Sequence, residues 1–225
     1  SEQSPNAGIN SNPTPIKKYH KYKKSNKKAC LLLGSKYFLT HPNFIKNKKN
    51  YLKIKFKKKY DVVISCGGSD PNNLTWKITK QLINLPNIKI KVIIGPLMKK
   101  NIYIKKSKSI KIISSPKQIW KTFKNSDLVV CTSGSTLFEL AIQGIPCINI
   151  ATMQHQIPYG LALSKSKFGI YMGFWGDLDF SKIKLATEEL LHNSSKRKQM
   201  SSTGKRLIDG KGLDRFAKVI SSMIN

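Results

Sequence analysis

Residues 128–150 read LVVCTSGSTLFELAIQGIPCINI, and this stretch decides the fold. It begins with an apolar, β-branched run, Leu128–Cys131, which is long enough for a buried strand. The amphipathic segment Ser135–Gln143 predicts a helix, and Gly144 ends it before a second apolar run, Pro146–Ile150. A strand, a helix and a strand in this order predict a βαβ unit, whose two strands are parallel.

The same alternation extends in both directions from this unit. Further strands are predicted for three apolar runs: Asp61–Cys66, Ile88–Ile94 and Ile110–Ile113. Further helices are predicted for Pro71–Asn84, Lys117–Lys124, Pro158–Ser166, Ser181–His192 and Leu213–Ile224. Apolar strands that alternate with helices indicate an α/β fold, with a Rossmann-like parallel sheet and helices on both faces. Ligands of such sheets bind beyond the carboxyl ends of the strands.

The net charge and the arginine content of the chain indicate which kinds of ligand it can bind. Its 225 residues include 41 Lys and Arg against 11 Asp and Glu, for a net charge of +30. Only Arg197, Arg206 and Arg215 are arginines, whereas proteins that read nucleic acids favour arginine for bidentate contacts. The composition therefore favours a partner other than a nucleic acid, and the positive charge would attract an anionic nucleotide sugar. Since no apolar run approaches the ~20 residues of a membrane span, we expect a cytoplasmic protein with no membrane span.

The four cysteines give no sign of a metal site or of disulfides. Cys30, Cys66, Cys131 and Cys147 lack C-x-x-C spacing, and three of them lie in apolar, strand-like segments. In such segments cysteine acts as a small buried hydrophobic residue. The sequence therefore predicts no metal and no cofactor.

Composition also divides the chain into three parts. Residues 1–30 combine proline, asparagine and serine with a lysine cluster, which indicates a linker or mobile arm. Residues 31–60 form a basic connector between domains, and the lysine-dense residues 46–59 are expected to be exposed. Residues 61–225 form the Rossmann-like domain.

The first junction between a strand and a helix is residues 66–73, CGGSDPNN. Its two glycines let the backbone turn sharply and approach a ligand closely. Asp70 is expected to be the helix N-cap, with Pro71 at the first helical position. An ordinary tight turn is one interpretation of this loop, and a wall of the substrate cleft is the other. In the second interpretation the substrate-binding residues are Gly67, Gly68, Ser69 and Asp70.

The second junction is built from Ser133, Gly134, Ser135 and Thr136. Backbone N–H groups at the start of the following helix, together with these hydroxyls, can bind phosphate oxygens without arginine or lysine. The loop is neither a Walker A motif nor a G-x-G-x-x-G motif. Glu139 lies one helical turn past Ser135, where its carboxylate can accept hydrogen bonds from ribose hydroxyls. The alternative for Glu139 is a surface residue that stabilises the helix dipole.

A third polar loop, Thr152–Gln156, follows the strand Pro146–Ile150. It should face the same edge of the sheet, so His155 and Gln156 are candidate substrate-binding residues. His155 is also the candidate for a general acid or base in this chain. A surface histidine without a role is the alternative.

Several of these segments resemble the UDP-sugar hydrolase of pseudaminic acid biosynthesis. They are LLLGSKYFL at residues 31–39, PNF at residues 42–44 and ISCGGSDPNN at residues 64–73. The loop at residues 133–136, with Glu139 and the GIP of residues 144–146, resembles both this hydrolase and the N-acetylglucosaminyltransferase that makes lipid II. The resemblance covers residues 31–170.

The resemblance implies the carboxy-terminal domain of a GT-B fold, with UDP or a UDP-sugar as ligand. It implies that backbone groups of Ile113–Ile119 bind uracil, residues 133–136 bind the diphosphate and Glu139 binds the ribose. The hydrolase activates a water that attacks the anomeric carbon, and UDP leaves. In that family a histidine in a glycine-rich loop of the amino-terminal domain resembles the general base. This sequence has no such loop, so we expect the main base on a missing amino-terminal GT-B domain. His155 stands where the hydrolases usually have asparagine.

Four functions follow from these observations. The first is a UDP-sugar hydrolase that produces free diacetamido-trideoxyhexose and UDP, or its nucleotide-binding half. The second is a GT-B glycosyltransferase that uses a UDP-sugar donor and needs an acceptor. The third is a non-catalytic module that binds a UDP-sugar, or pairs with a separately encoded amino-terminal half. The fourth is a lysine-rich nucleic-acid binder, whose affinity would depend strongly on salt.

Overall fold

Strands and helices alternate along the chain, as the sequence predicts. The structure is a computed structural model, and it describes residues 7–10, 30–49, 59–98 and 107–224. The strands are β1 Ala7–Asn10, β2 Cys30–Leu33, β3 Tyr60–Ser65, β4 Ile88–Ile94, β5 Ile110–Ser114, β6 Leu128–Thr132, β7 Cys147–Ala151 and β8 Ile170–Phe174. The helices are α1 Pro42–Lys46, α2 Leu74–Leu82, α3 Ile119–Lys124, α4 Ser135–Gln143, α5 Ile157–Lys165, α6 Ser181–His192, α7 Ser194–Leu207 and α8 Gly212–Ile224.

Six strands of the described chain form one parallel sheet in the order β5-β4-β3-β6-β7-β8. From β3 the chain moves outward to β4 and β5, and then returns to place β6 on the other side of β3. The strand order reverses at this point, and a crevice opens there at the carboxyl ends of the strands. The predicted α/β fold with a Rossmann-like parallel sheet is confirmed.

Both faces of the sheet are covered, which explains why its central strands are apolar throughout. On β6, Leu128 and Val130 point into one core, whereas Val129 and Cys131 point into the other. Helices α2 and α6 pack in the first core, and α3, α4 and α5 contribute to the second. Each helix start that follows a central strand is thereby fixed at the carboxyl edge of the sheet.

The described part of the predicted connector packs against the sheet domain. Phe44 of α1 is buried in the second core, and the ring of Phe38 stacks on that of Phe138 with 4.7 Å between centroids. The Gln143 side chain also donates a hydrogen bond of 2.9 Å to the carbonyl of Asn47. Most of the predicted arm at residues 1–30 and most of the lysine-dense segment 46–59 lie outside the described residues. Strand β1 of the arm pairs in parallel with β2, which begins at the last residue of the arm, Cys30.

The predicted start of the helix after β3 is wrong. Helix α2 begins at Leu74, not at Pro71, and its N-cap is Asn73 in a left-handed conformation with φ 52°. Asp70 therefore does not occupy the N-cap position. Its buried carboxylate instead accepts hydrogen bonds from the backbone N–H groups of Leu74 and Thr75, at 2.9 and 2.8 Å. Asp70 thus stabilises the first turn of α2 from outside the helix.

Five elements of the described chain escaped the sequence analysis: the strands β1, β2 and β8 and the helices α1 and α7. The sequence of α7, SSKRKQMSSTGKRL, contains few apolar residues and shows no helical hydrophobic pattern. The buried residues of the helix are Arg197, Met200, Ser201, Thr203 and Gly204, and only Met200 among them is a large apolar residue. A Cβ atom at Gly204 would lie 2.9 Å from the carbonyl oxygen of Ala141 on α4. A contact this close between two helices depends on glycine, so hydrophobic periodicity does not reveal it.

None of the helices in the described residues is both long and apolar enough to span a bilayer.

The turn after β3 is held by the turn after β4. A Cβ atom at Gly95 would lie 2.4 Å from the carbonyl oxygen of Gly68 and 2.5 Å from that of Gly67. The backbone N–H of Leu97 also donates a hydrogen bond of 2.9 Å to Gly68. Gly95 thus lets the second turn support the first.

We predict that Gly95→Ala destabilises the protein by about 1–3 kcal/mol, because the new methyl group collides with backbone that must then move. Gly68→Ala is the matched control, since a Cβ atom there meets nothing within 4 Å. We expect the control to change stability by no more than about 0.5 kcal/mol. Urea denaturation of both variants measures the difference. Equal losses in the two variants would contradict the close approach at Gly95.

Candidate functional site

A cleft of about 380 Å³ opens at the carboxyl ends of β3, β4, β5 and β6. Its lining comes from the ends of β3 and β4, from the turns after β3, β4 and β5, and from the first turns of α3 and α4. The lining residues are Ser65, Gly67, Gly68, Ile93, Ile94, Gly95, Pro96, Ser115, Pro116, Ile119, Ser135 and Thr136. None of these side chains carries a charge. Among the described lining residues, N–H groups and hydroxyls are therefore the donors available to an anion.

The first wall of the cleft is the turn after β3. Gly67 and Gly68 line this cleft, and their predicted contact with a substrate stays a prediction. Gly67 has φ 89°, a conformation that favours glycine. Ser69 and Asp70 are not part of the lining. The Asp70 carboxylate accepts hydrogen bonds from the backbone of α2, and so it stabilises the turn without facing the cleft.

The opposite wall is the start of α4, where Ser135 and Thr136 line the cleft. The helix N-cap is Gly134, and no side chain caps the helix. Backbone N–H groups at this end lack partners within the helix and carry partial positive charge. This end of α4 offers hydrogen-bond donors to a phosphate group without any basic side chain.

Ser133 lies deeper than the sequence suggested. It is fully buried, and its hydroxyl is 2.7 Å from Oδ1 of Asn149. Its backbone N–H donates to the carbonyl of Ile150 at 2.9 Å. Both groups are thus engaged within the protein, and Ser133 is not among the residues that line the cleft.

Glu139 lies on α4 one turn beyond Ser135 and is half-buried. Within the described residues, its carboxyl group has no hydrogen bond and no ion pair. Burial raises the pKa of Glu139 to about 7. Both the protonated and the ionised form are therefore populated near neutral pH. Glu139 is not among the residues that line the cleft, so its predicted contact with a ribose stays a prediction.

The third loop forms a single 3-10 turn, Gln154–Gln156, that leads into α5. The exposed ring of His155 lies edge-on to Tyr159, with 6.4 Å between centroids. The side chain of Gln156 is held in place, because its Oε1 accepts hydrogen bonds from both the N–H and the hydroxyl of Thr152. The Nε2 of Gln156 takes no part in these bonds and is left as a donor. It lies close to Gly134, since a Cβ atom added to Gly134 would be 3.8 Å from it. Gln156 therefore adds a donor beside the start of α4.

The structure adds cleft residues that the sequence analysis missed. Gly95 and Pro96 follow β4, and Ser65 ends β3. The Gly-Pro pair after a predicted strand was the available signal, since such pairs mark turns. From the predicted uracil segment Ile113–Ile119, the residues Ser115, Pro116 and Ile119 line the cleft. Ser115 has φ 41°, and its backbone N–H donates to Ile94 at 2.8 Å.

Two curated proteins resemble the chain over much of its length. It is 33% identical over 140 residues to the uncharacterized protein MJ1062 of Methanocaldococcus jannaschii. The matched region covers 58% of this chain and 29% of MJ1062. It is also 21% identical over 197 residues to the spore coat polysaccharide biosynthesis protein SpsG of Bacillus subtilis. This matched region covers 84% of this chain and 58% of SpsG. The chain therefore spans less than two thirds of the length of either relative.

The structural match and the family match identify the same kind of domain. The crystal structure of Acinetobacter baumannii MurG matches the chain with a TM-score of 0.73 at 13% identity, over 96% of this chain and 66% of that one. The fold is that of a GT-B carboxy-terminal domain. The family model of the glycosyltransferase family 28 C-terminal domain matches residues 29–214. This match covers most of the chain, including the whole cleft, and so the protein belongs to the glycosyltransferase family 28 C-terminal domain family.

Proposed function

We propose that this chain is the nucleotide-binding half of a GT-B glycosyltransferase that uses a UDP-sugar donor. The observation that carries the proposal is the cleft between the Gly67–Gly68 turn and the start of α4. Ligands of doubly wound sheets bind in such a crevice. The family match supports a transferase over the other functions that we inferred from the sequence.

The cleft suggests how UDP would lie. The diphosphate would accept hydrogen bonds from N–H groups at Gly134, Ser135 and Thr136, where the helix dipole favours an anion. The base would lie toward Ser115 and Ile119 at the far end of the cleft. The ribose would lie between these ends, near the carboxyl group of Glu139.

The sugar of the donor would lie on the side of Gln156. The bonds from Thr152 fix the Gln156 amide, so its Nε2 can donate to the diphosphate or to a sugar oxygen. His155 is exposed beside it and is free to meet a substrate that enters from solvent. We propose that an amino-terminal domain supplies the remaining catalytic groups, either from a longer protein or from a separate chain.

A UDP-sugar hydrolase is the second candidate. The observation that favours it is the string CGGSDPNN at residues 66–73, which resembles the hydrolase of pseudaminic acid biosynthesis. In this reading water replaces the acceptor, attacks the anomeric carbon and releases UDP and the free sugar. The same cleft would hold the nucleotide in both candidates.

We predict that UDP binds saturably to the chain and that Glu139→Ala weakens binding by about 1–3 kcal/mol, the cost of losing hydrogen bonds to a charged group. Calorimetric titration at moderate salt measures both affinities. Glu188→Ala on α6 is the control and should bind UDP as the unmodified protein does. If inorganic pyrophosphate binds as tightly as UDP, and Glu139→Ala has no effect, the proposal fails.

We also predict that the affinity for UDP-N-acetylglucosamine rises with pH through about 7. The pKa of Glu139 is raised to about 7, so its carboxylate form becomes populated over this range. Ribose hydroxyls donate to the carboxylate, whereas the phosphates of a UDP-sugar do not titrate there. Glu139→Gln should abolish the pH dependence in titrations between pH 6 and pH 8. The opposite slope would mean that Glu139 faces the diphosphate.

Turnover separates the two candidates. We expect the chain, together with its amino-terminal half, to release UDP from a UDP-sugar only when a hydroxyl acceptor is present, because a transferase excludes water as the nucleophile. Quantifying UDP and free sugar by NMR in ¹⁸O-labelled water checks this expectation. Free sugar that carries ¹⁸O at its anomeric carbon, formed without an acceptor, would establish the hydrolase instead. Binding without release of UDP under either condition would leave a non-catalytic binding module.

A further inference from the structure

A buried amide lies directly behind the start of α4. Asn149 is at the centre of β7 and is fully buried between the apolar residues Ile148 and Ile150. An amide in such a place is costly unless its polar atoms are hydrogen-bonded. Asn149 meets this requirement with two bonds, which join the loop after β6 to β8.

The carbonyl of Ile170 determines which way this amide points. Since a carbonyl can only accept, the atom that faces it must be Nδ2 of Asn149, at 3.2 Å. Oδ1 then faces Ser133 at 2.7 Å, and the Ser133 hydroxyl must donate its hydrogen to it. No hydrogen is left on that hydroxyl for a phosphate oxygen. Ser133 is therefore held by the amide and does not bind the ligand.

Two glycines make room for the amide and hold it in place. A Cβ atom at Gly160 would lie 2.8 Å from Oδ1 of Asn149, and one at Gly169 would lie 3.2 Å from Nδ2. Helix α5 and the residue before β8 thus close around the side chain. The amide has little freedom to rotate, so it offers Ser133 a fixed acceptor.

We propose that Asn149 is a positioning residue for the diphosphate site. Asn149 holds the hydroxyl of Ser133. The backbone of β7 holds Ser133 as well, because the Ser133 N–H donates a hydrogen bond to the carbonyl of Ile150. Gly134, the N-cap of α4, comes next in the chain, so this anchor sets where the N–H groups of Ser135 and Thr136 point. Donors that are held in place before binding lose less entropy when the ligand arrives. This inference rests on the proposed nucleotide site.

The test compares two ligands that differ only in the diphosphate. We expect Asn149→Ala and Ser133→Ala each to weaken UDP binding by about tenfold, because a buried hydrogen bond is lost. Uridine, titrated by NMR, should bind each variant within about twofold of the unmodified protein, because the base and ribose contacts stay in place. The double variant should be no weaker for UDP than the weaker single variant, since the two residues act through one bond.

Ser126→Ala is the matched control. Ser126 is also fully buried, and its hydroxyl donates to the carbonyl of Phe123, close to the opposite end of β6. We expect its loss to lower thermal stability without changing the affinity for either ligand. Ser133→Thr keeps the hydroxyl and should retain the UDP affinity. If Asn149→Ala does not fold, the Ser133 variants alone carry the comparison.

Three results would overturn the inference. One is an equal loss of uridine and UDP affinity in the Asn149 and Ser133 variants, which would mean general damage to the domain. Another is unchanged UDP affinity in both variants while Glu139→Ala still weakens it, which would make Asn149 a packing residue only. Additive losses in the double variant would also exclude a shared bond. Failure of the proposed function is distinguishable, because the unmodified protein would then not bind UDP.

Discussion

The parallel pairing of β3 with β6 determines where the rest of the molecule lies. Val62 and Leu128 are register partners, yet the segment between them runs out to β5 and back. Two strands that are adjacent in space therefore send their following turns apart, one toward α2 and the other into α4. The cleft is the gap between these turns, and it exists because the strand order reverses here.

The walls of this cleft have separate supports. Asp70 bonds the first wall to the backbone of α2, and Gly95 lets the turn after β4 press against it. Ser133 ties the second wall to β7 and β8 through Asn149. Most of these supporting atoms are buried and do not face the ligand space. The polar residues near the cleft therefore divide into those that shape the backbone and those that are free to contact a substrate.

The sequence was sufficient for the fold, because buried parallel strands and amphipathic helices leave strong patterns. Strand β4 and helices α4 and α6 have the predicted bounds. Helix α7 was missed because most of its buried residues are polar or small, as Ser201 and Gly204 are, and give no apolar periodicity. Within the site, the sequence located both turns but could not tell that Ser133 is buried. The sequence does not distinguish a buried serine from an exposed one in the same loop, because the buried serine is identified only by its folded contact with Asn149.

The position of β5 at the edge of the sheet has a consequence for solubility. Among the described residues, no strand pairs with its outer side, and Ile112 is 47% exposed. An open apolar edge can recruit a strand from another molecule and begin aggregation. Lys111 lies within this strand and is exposed, and lysine at an edge opposes such pairing. Among the described residues, lysine contributes no side chain to the lining of the cleft, whereas Lys111 would act between molecules by opposing the pairing of sheet edges.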